Sequence, residues 1–220
     1  MNSVKMKKAK KPAARPRPYH HGDLKDQLVA AAEAIILERG VDGFTLREAA
    51  RRAGVSPAAP AHHFKDAKGL LSEVALRGFK DFGDALAAAD ARGGGDPARR
   101  LHEQGLAYVN FALKNPARFQ LMFRKGKWDP AYENFAEVAP RAFAVLEGAV
   151  RATFGLAPDA PLTDDTNGFL MATWSVVHGF AHLALSGDLD MAAGPRGGRN
   201  AILDRFLPLM LRHLPMPVRK

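Results

Sequence analysis

Residues 45–64 read TLREAARRAGVSPAAPAHHF, and this stretch decides the fold of the N-terminal part of the chain. Thr45 followed by Glu48 forms a capping-box pattern, in which each side chain satisfies a free N–H group at a helix start. The pattern predicts a helix over Leu46–Ala53, and Gly54 is typical of the residue that ends a helix. The stretch therefore opens with one short helix and a turn.

A second short helix is predicted directly after the turn. Ser56 is a typical N-cap residue, and Pro57 is tolerated at the first helical position because the N–H group that it lacks has no partner there. Apolar side chains are spaced so that the two helices pack together, at Leu46, Ala49, Ala50, Val55 and Phe64. Two short helices joined by a Gly-containing turn are typical of a helix-turn-helix.

Basic side chains stay outside the predicted helix pair, at Arg47, Arg51, Arg52 and Lys65. The major groove of B-form DNA admits one helix, so a short second helix held by the first can present its side chains to base edges. Flanking Lys and Arg side chains and helix N-termini suit the phosphates. We assign Arg51 and Arg52 to phosphate contact or solvent rather than to base reading.

The charge distribution also points to an anionic partner. The chain has 220 residues and a formal net charge of +9. Residues 1–80 contain 16 Lys and Arg against 8 Asp and Glu, whereas residues 81–220 contain 16 against 15. A surplus confined to the first third of a chain indicates binding to nucleic acid or to an anionic membrane surface.

Composition excludes several kinds of chemistry. The chain has no Cys, which rules out disulfides, thiolate metal sites and Cys nucleophiles. The Gly-rich stretches 93–95 and 194–198 lack the strand and the Gly-Lys-Ser/Thr ending of a phosphate-binding loop. No nucleophile with an orienting base stands out, so we predict no catalytic residues, no metal and no cofactor.

The sequence favours a soluble, cytoplasmic protein. Its basic start lacks the apolar stretch of about 7–15 residues that a secretion signal needs. Residues 166–187 contain no Asp, Glu, Lys or Arg, but Thr173, Ser175, His178 and His182 interrupt the apolar run. Because a membrane span needs about 20 predominantly apolar residues, we predict a buried helix here.

Helix signals recur along the whole chain, and no strand is indicated with confidence. Residues 1–18 carry seven Lys or Arg, three Pro and no acidic residue, which predicts a basic disordered tail. Residues 19–67 form the predicted DNA-binding domain, and residues 68–220 form a helical ligand-binding and dimerisation domain. Caps and apolar spacing predict about nine helices in an all-α fold. Their ranges are 24–39, 46–53, 57–64, 68–90, 97–114, 116–124, 130–154 with a kink or break at Pro140, 164–186, and 200–213 with an interruption at Pro208.

The N-terminal residues resemble the DNA-binding domain of the TetR family of transcriptional regulators. The resembling segments there are Tyr19–Leu24, Thr45–Glu48, Gly54–Ser56 and His63–Lys65. The resemblance continues more weakly into the second domain, at Phe111–Pro116, Leu121–Phe123 and Trp174 with His178–Gly179. The last of these is similar to the Trp-His-Gly element of one branch of the family.

The resemblance implies an all-α homodimer whose two DNA-binding heads contact a palindromic operator. It implies that the last two long helices of each subunit form a four-helix bundle with those of the other subunit. It also implies an inner pocket for a small-molecule effector, which shifts the fourth helix and releases the DNA. Because half-sites lie about 34–36 Å apart, a small change in the spacing of the heads weakens binding.

One departure from the family pattern falls in the second helix of the pair, where Pro60 and Ala61 replace Leu or Pro followed by Tyr. We expect base preference to depend on thymine methyl contacts, on His62 and on local DNA shape. The residues assigned to DNA contact are Tyr19, His20, His21, Thr45, Arg47, Ser56, Ala58, Ala59, Pro60, His62, His63 and Lys65.

Aromatic and His residues mark a candidate effector site in the second domain. Trp174, His178 and His182 are spaced by four residues along one helix. Such a His pair can bind zinc, supply polar groups to an apolar pocket, or pack in a core or a subunit contact. The Phe and Met positions also fit an ordinary core. The residues assigned to the effector are Phe111, Phe119, Met122, Phe123, Trp174, His178 and His182.

Together these observations predict a ligand-responsive repressor whose partners are double-stranded DNA, a small-molecule effector and a second copy of the chain, with no membrane. Two alternatives remain open. A nonspecific architectural DNA-binding protein would not need the second domain. An all-helical enzyme would need a paired-carboxylate or metal site, and Asp164 and Asp165 are better explained as acidic residues at a helix start.

Overall fold

The structure is a computed structural model that describes residues 21–189 and 202–213, and within them it contains nine α-helices and no strand. The all-α prediction is confirmed. A 3-10 turn, Val41–Gly43, follows the first helix, and a π-helical turn, Ile202–Phe206, precedes the last. The predicted tail, residues 1–18, lies outside the described residues. The helices are α1 (His21–Arg39), α2 (Leu46–Arg52), α3 (Ala59–Phe64), α4 (Ala67–Gly93), α5 (Pro97–Lys114), α6 (Pro116–Met122), α7 (Phe135–Thr153), α8 (Asp164–Ser186) and α9 (Leu207–Arg212).

Capping side chains set helix starts at positions that the sequence predicts. The Glu48 N–H donates to Thr45 Oγ1 at 3.3 Å, so Thr45 is the N-cap of α2. The Ala98 N–H donates to Asp96 Oδ1 at 2.9 Å at the start of α5. Each side chain satisfies an N–H group that has no partner within its helix.

α3 begins two residues later than predicted. Pro57 and Ala58 form a turn in which the Ala59 N–H donates to the backbone carbonyl of Ser56 at 3.0 Å. The prediction that the Ser56 side chain caps this helix is therefore wrong, and Ala58 stands at the N-cap position. Pro60 then falls in the first turn of the helix, where its missing N–H group has no helical partner to lose.

Two other predicted boundaries also differ from the structure. His21 and Gly22 are already helical, so Asp23 lies inside α1 rather than at its N-cap. α7 begins at Phe135 and continues through Pro140, so the predicted break is wrong. A Pro ring conflicts with the carbonyl four residues before it. For Pro140 that carbonyl belongs to Ala136, in the first turn, where the helix has the fewest bonds to lose.

Two apolar cores are joined by α4. The first packs α1, α2 and α3 against the first half of α4, and it includes Leu121 of α6 and Phe135 of α7. The second packs the second half of α4 against α5, α6, α8 and α9. Phe79 of α4 contacts both cores. Because packed interiors resist compression, a shift of α4 is felt in both.

Candidate functional site

α3 presents one exposed face. Its members are Ala58, Ala61 and His62, and they are called the exposed α3 face below. Their spacing of three and four residues places them on one side of the helix. Pro60 is buried, so this predicted contact residue does not lie at the surface.

The other predicted DNA-contact residues are spread around this face. Thr45, Arg47 and Ser56 are exposed, whereas Ala59 packs against the first core. His63 is half-buried, and its ring lies 6.2 Å from the Phe64 ring. Tyr19 and His20 lie outside the described residues, and the structure describes the backbone of His21 but not its side chain.

Arg51 and Arg52 form ion pairs within the helix pair. Glu48 accepts from Arg51 at 2.8 Å and from Arg52 at 3.0 Å. Arg52 also pairs with Glu38 of α1 at 2.6 Å. Hydrogen bonds from Arg51 and then Arg52 lower the pKa of Glu48 to about 2. The Arg52–Glu38 pair links α2 to α1, whereas Arg51, among the described residues, pairs only within α2.

Other basic side chains remain available for phosphates. Arg47, Lys65 and Lys68 are exposed, and none of the three forms an ion pair with another described residue. Arg47 lies on α2, Lys65 directly after α3 and Lys68 at the start of α4, so all three flank the exposed α3 face. A cation without an internal partner can neutralise a phosphate without first breaking an ion pair.

A strained turn joins α3 to α4. Lys65 has a φ of 65° and a ψ of −58°, and the Asp66 N–H donates to the Phe64 carbonyl at 2.7 Å across it. This is the rare form of γ-turn with positive φ. A Cβ atom on Gly69 would lie 1.9 Å from the same Phe64 oxygen. The turn therefore requires Gly at position 69, and it sets the direction of α3 relative to α4.

A cavity of about 280 Å³ lies among α4, α5, α7 and α8. Its wall is mostly aromatic and aliphatic, which is typical of a small-molecule site. The described aromatic residues that line it are Phe79, Phe82, Tyr108, Phe123, Trp128, Phe143 and Trp174.

Three of the seven predicted effector residues line the cavity, and four do not belong to its described wall. Met122, Phe123 and Trp174 line the cavity. Phe111 and Phe119 are buried in the second core and are not among the described lining residues. The two His residues lie beside the cavity rather than in its described wall. Whether any of the seven contacts an effector stays a prediction.

Tyr108 connects the cavity wall to the His pair. Its hydroxyl accepts a hydrogen bond from Trp174 Nε1 at 3.2 Å and lies 2.7 Å from His178 Nδ1. Burial raises the pKa of Tyr108, so this hydroxyl stays protonated and can donate to a neutral His178. The ring centroids of His178 and His182 are 4.6 Å apart. Burial, and then the charge of His182, lower the pKa of His178.

Two buried polar groups in the cavity wall lack partners. Gln104 of α5 and Thr173 of α8 both line the cavity. Gln104 Oε1 and Thr173 Oγ1 are buried and accept or donate no hydrogen bond within the described part of the chain. Buried polar atoms are nearly always paired, so each of these atoms calls for an explanation.

The connection between α6 and α7, residues 123–134, contacts both the cavity and the helices near α3. Phe123 and Trp128 line the cavity. Lys127 pairs with Asp42 of the 3-10 turn at 2.5 Å. The Asp129 N–H donates to Ser72 Oγ of α4 at 2.8 Å. One short segment thus closes the cavity on one side and holds the first core on the other.

α8 has the length and apolar composition of a membrane-crossing helix, and it is the one helix among the described residues that meets both criteria. A single such helix is weak evidence for a membrane, because core helices of soluble proteins have the same composition. Its uncharged character therefore does not by itself decide its environment.

Comparison with known proteins assigns both parts of the chain to one family. Residues 28–74 match the family described as bacterial regulatory proteins, tetR family. Residues 101–206 match the tetracyclin repressor-like C-terminal domain. The chain belongs to the TetR family of transcriptional regulators. TetR-family regulators are soluble DNA-binding proteins with an N-terminal DNA-binding part, and they are typically dimeric, ligand-responsive repressors.

Individual relatives are similar to this chain over most of its length. The uncharacterized HTH-type transcriptional regulator YobS of Bacillus subtilis (strain 168) is 25% identical over 156 residues, which cover 71% of this chain and 76% of YobS. A solved protein with unknown function from Rhodococcus sp. RHA1 is 31% identical, with a TM-score of 0.68 over 90% of this chain and 99% of that one. A tetR-family regulatory protein from Rhodococcus RHA1 shares the fold, with a TM-score of 0.63 at 24% identity over 89% of this chain and 98% of that one.

Sequence reasoning misses several residues that shape the cavity of this TetR-family regulator. Phe79, Gln104 and Trp128 were not assigned to an effector site, although all three line the cavity. Trp128 lies in a non-helical connection, where no helical periodicity marks it. Gln104 has a usable signal, because an uncharged polar residue stands there on the otherwise apolar side of α5.

Proposed function

We propose that this TetR-family regulator is a repressor that binds a palindromic operator as a homodimer and leaves it when a small molecule occupies the cavity. The observation that carries the proposal is that the α6–α7 connection contacts both the cavity and the elements next to α3. Trp128 of this connection lines the cavity, whereas Lys127 and Tyr132 of the same connection bond to the 3-10 turn and to α4. A ligand that displaces Trp128 therefore strains contacts with the helices that carry α3.

The exposed α3 face suits the major groove. The methyl groups of Ala58 and Ala61 can meet thymine methyl groups, and His62 can bond to a base edge. Lys65 and Arg47 flank this face and suit the phosphates. We retain Tyr19, His20, His21, Thr45, Ser56 and His63 as proposed contacts of the surrounding backbone. Because this face has few long side chains, we expect its sequence preference to depend partly on DNA shape.

The proposed subunit interface lies on α8 and α9. Met171 and Leu183 of α8 and Leu209 of α9 are large apolar side chains that are 42%, 46% and 44% exposed. Exposed apolar side chains on two helices that both pack on α5 favour a contact with another protein chain. Burial of this face in a dimer also accounts for the apolar character of α8 without a membrane.

Light scattering at micromolar concentration tests the dimer. We expect the mass of two chains for the wild type and a lower mass for Leu183→Glu. The matched control is Leu37→Glu, since Leu37 is 61% exposed on α1, away from α8. A single-chain mass for the wild type, both with and without DNA, would contradict the two-headed mechanism.

These assignments give each part of the chain a proposed role. We propose residues 19–67 as the DNA-binding domain and residues 68–220 as the effector and dimerisation domain, acting in the cytoplasm where the operator is. The cavity is assigned to binding and not to catalysis. The raised pKa of Tyr108 keeps its hydroxyl protonated, which disfavours a nucleophilic role.

Selection of DNA fragments from a random library tests the regulatory function. We expect the purified protein at about 150 mM salt, where nonspecific binding is weak, to enrich a palindrome. Placing that palindrome between a promoter and a reporter gene should lower expression when the protein is present. Binding without enrichment would favour the alternative of a nonspecific architectural protein, and a rise in expression would contradict repression.

A further inference from the structure

We infer that the cavity is built for an uncharged, mostly apolar molecule that carries a hydroxyl group. This inference rests on the proposed effector role of the cavity and names the chemistry of its ligand. It is carried by Gln104 and Thr173, because each contributes to the cavity wall and keeps a buried polar atom without a partner.

The Gln104 amide has a fixed orientation. Its Nε2 donates to Asp90 Oδ1 at 2.6 Å and lies 3.4 Å from the Val145 carbonyl oxygen. Both neighbours are acceptors, so exchanging the amide oxygen and nitrogen would set an oxygen against two oxygens. Oε1 is therefore the atom left unpaired, in a side chain that is 3% exposed. Only a hydrogen-bond donor can satisfy it.

Thr173 differs from another buried Thr of the same domain. The Thr153 hydroxyl donates to the Ala149 carbonyl four residues earlier, at 2.8 Å, which is the usual arrangement in a helix. The Thr173 hydroxyl forms no such bond, although the residue is 4% exposed. A hydroxyl can both donate and accept. A ligand hydroxyl is therefore a partner that suits Thr173 and Gln104 Oε1 alike.

The charges around the cavity favour an uncharged ligand. Lys125 is the one charged residue among the described lining residues, and it is exposed to solvent. The nearby carboxylate of Asp90 is already paired with Arg100 at 2.7 Å and with Gln104. An ion deep in this wall would lose its hydration without gaining a counter-ion, which is strongly unfavourable.

The chain contains a direct reporter for binding. Its two Trp residues, Trp128 and Trp174, both line the cavity, so intrinsic fluorescence responds to an occupant. Four probes share one skeleton and differ in one group: para-butylbenzyl alcohol, para-butyltoluene, para-butylbenzoate and para-butylbenzylammonium. We expect the alcohol to bind about tenfold more tightly than each of the others, the difference that one well-placed hydrogen bond makes.

Two variants assign this preference to the unpaired atoms. Thr173→Val and Gln104→Met nearly keep the side-chain volume; the first removes only the unpaired hydroxyl, and the second removes Oε1 together with the Nε2 bond to Asp90. Each should reduce the preference for the alcohol over the hydrocarbon to about threefold or less, because the alcohol loses its hydrogen-bond partner. The matched control is Thr153→Val, which removes a buried hydroxyl that is already paired and should leave the ratio unchanged.

Each contrary result overturns a different part. Equal binding of hydrocarbon and alcohol would contradict the inference that the ligand carries a hydroxyl group, and it would mean that water pairs the two atoms. The proposed role of the apolar cavity as an effector site would stand. Tightest binding of the benzoate or the ammonium would contradict the inference that the ligand is uncharged. No fluorescence change with any probe would contradict both the inference and the effector role of the cavity. The DNA-binding role is tested separately, by the selection of a palindrome and by the mass of the dimer.

Discussion

The Tyr132 hydroxyl lies 3.0 Å from Glu73 Oε2 and donates to it, which joins the α6–α7 connection to the first half of α4. Glu73 is 6% exposed and also pairs with Lys25 of α1 and Arg77 of α4. Burial raises the pKa of Glu73, but the bonds from Lys25, Arg77 and Tyr132 outweigh it and hold that pKa below its ordinary value. Glu73 is therefore ionised at neutral pH and ties α1, α4 and the connection together.

Tyr132→Phe removes one bond to this buried carboxylate. We expect the free energy of unfolding in urea to fall by about 1.5 kcal/mol, the usual net contribution of a hydrogen bond to a charged group. Release of operator DNA by a cavity ligand should also require more ligand, because the connection is less firmly tied to α4. Release at the same ligand concentration as in the wild type would show that this bond takes no part in the coupling.

Gly69→Ala tests the joint between α3 and α4. The added Cβ atom would lie 1.9 Å from the Phe64 carbonyl oxygen, so the turn at Lys65 must move. We expect a loss of about 3 kcal/mol in the free energy of unfolding, at the upper end of overpacking costs. Operator affinity should fall as well, because α3 changes direction.

Gly168→Ala is the matched control for this substitution. Gly168 lies in α8 and has nothing within 4 Å of an added Cβ atom, so Ala should stabilise by about 0.5–1 kcal/mol. Unfolding energies of Gly69→Ala and Gly168→Ala that change alike would contradict the close approach at Phe64.

The helix-turn-helix could be predicted from sequence because its determinants are local. Thr45 caps α2 through a residue three positions away, and the apolar spacing of α2 and α3 needs no distant partner. The burial of Pro60 could not be predicted in this way, because it depends on where α3 begins. That start follows from the turn at Pro57 and Ala58, which competes with a side-chain cap at Ser56.

The stability of the second core should depend on pH through His178. Its folded-state pKa lies below the ordinary value of about 6.5, so the unfolded chain binds more protons between the two values. Stability is therefore full above about pH 6.5, decreases as the pH falls from there to the folded-state pKa, and changes no further through this group below that pKa. The described groups that face His178 are Tyr108 of α5, His182 of α8, and the rings of Phe119, Phe123 and Trp174.

Urea unfolding of the wild type and of His178→Gln isolates this effect, because Gln can still bond to Tyr108 but does not titrate. Between about pH 7.5 and 5, the wild type should lose more stability than the variant, since only the wild type must protonate a half-buried imidazole. Parallel curves for the two proteins would show that His178 titrates alike in the folded and unfolded chains.

Two substitutions separate the roles proposed on the exposed α3 face and beside it. Lys65→Ala should weaken binding to all DNA sequences and reduce the slope of log affinity against log salt by about 1, the value for one lost phosphate contact. His62→Ala should relax preference at particular base pairs instead. The control is Lys114→Ala, an exposed Lys at the end of α5 far from α3. A uniform loss in both Lys65→Ala and His62→Ala would remove the division of roles.

The cavity was predicted less completely than the DNA-binding head, for a physical reason. Its wall is assembled from residues that are distant in the sequence, such as Phe79, Trp128 and Trp174. The unpaired state of Gln104 Oε1 depends on Asp90 of α4 and Val145 of α7, which periodicity within α5 does not reveal. Trp174 could be assigned from sequence because it stands four residues before His178 on one predicted helix, and Met122 and Phe123 because their segment resembles the family.

The coupling of cavity to operator is tested most directly by one reciprocal measurement. The operator affinity of the wild type is measured by fluorescence anisotropy with and without saturating para-butylbenzyl alcohol, and the affinity for the alcohol is measured with and without operator. The proposed mechanism predicts that each partner weakens the other by the same factor, about tenfold or more, because linkage between two sites is reciprocal. Bound alcohol that leaves the operator affinity unchanged would contradict it.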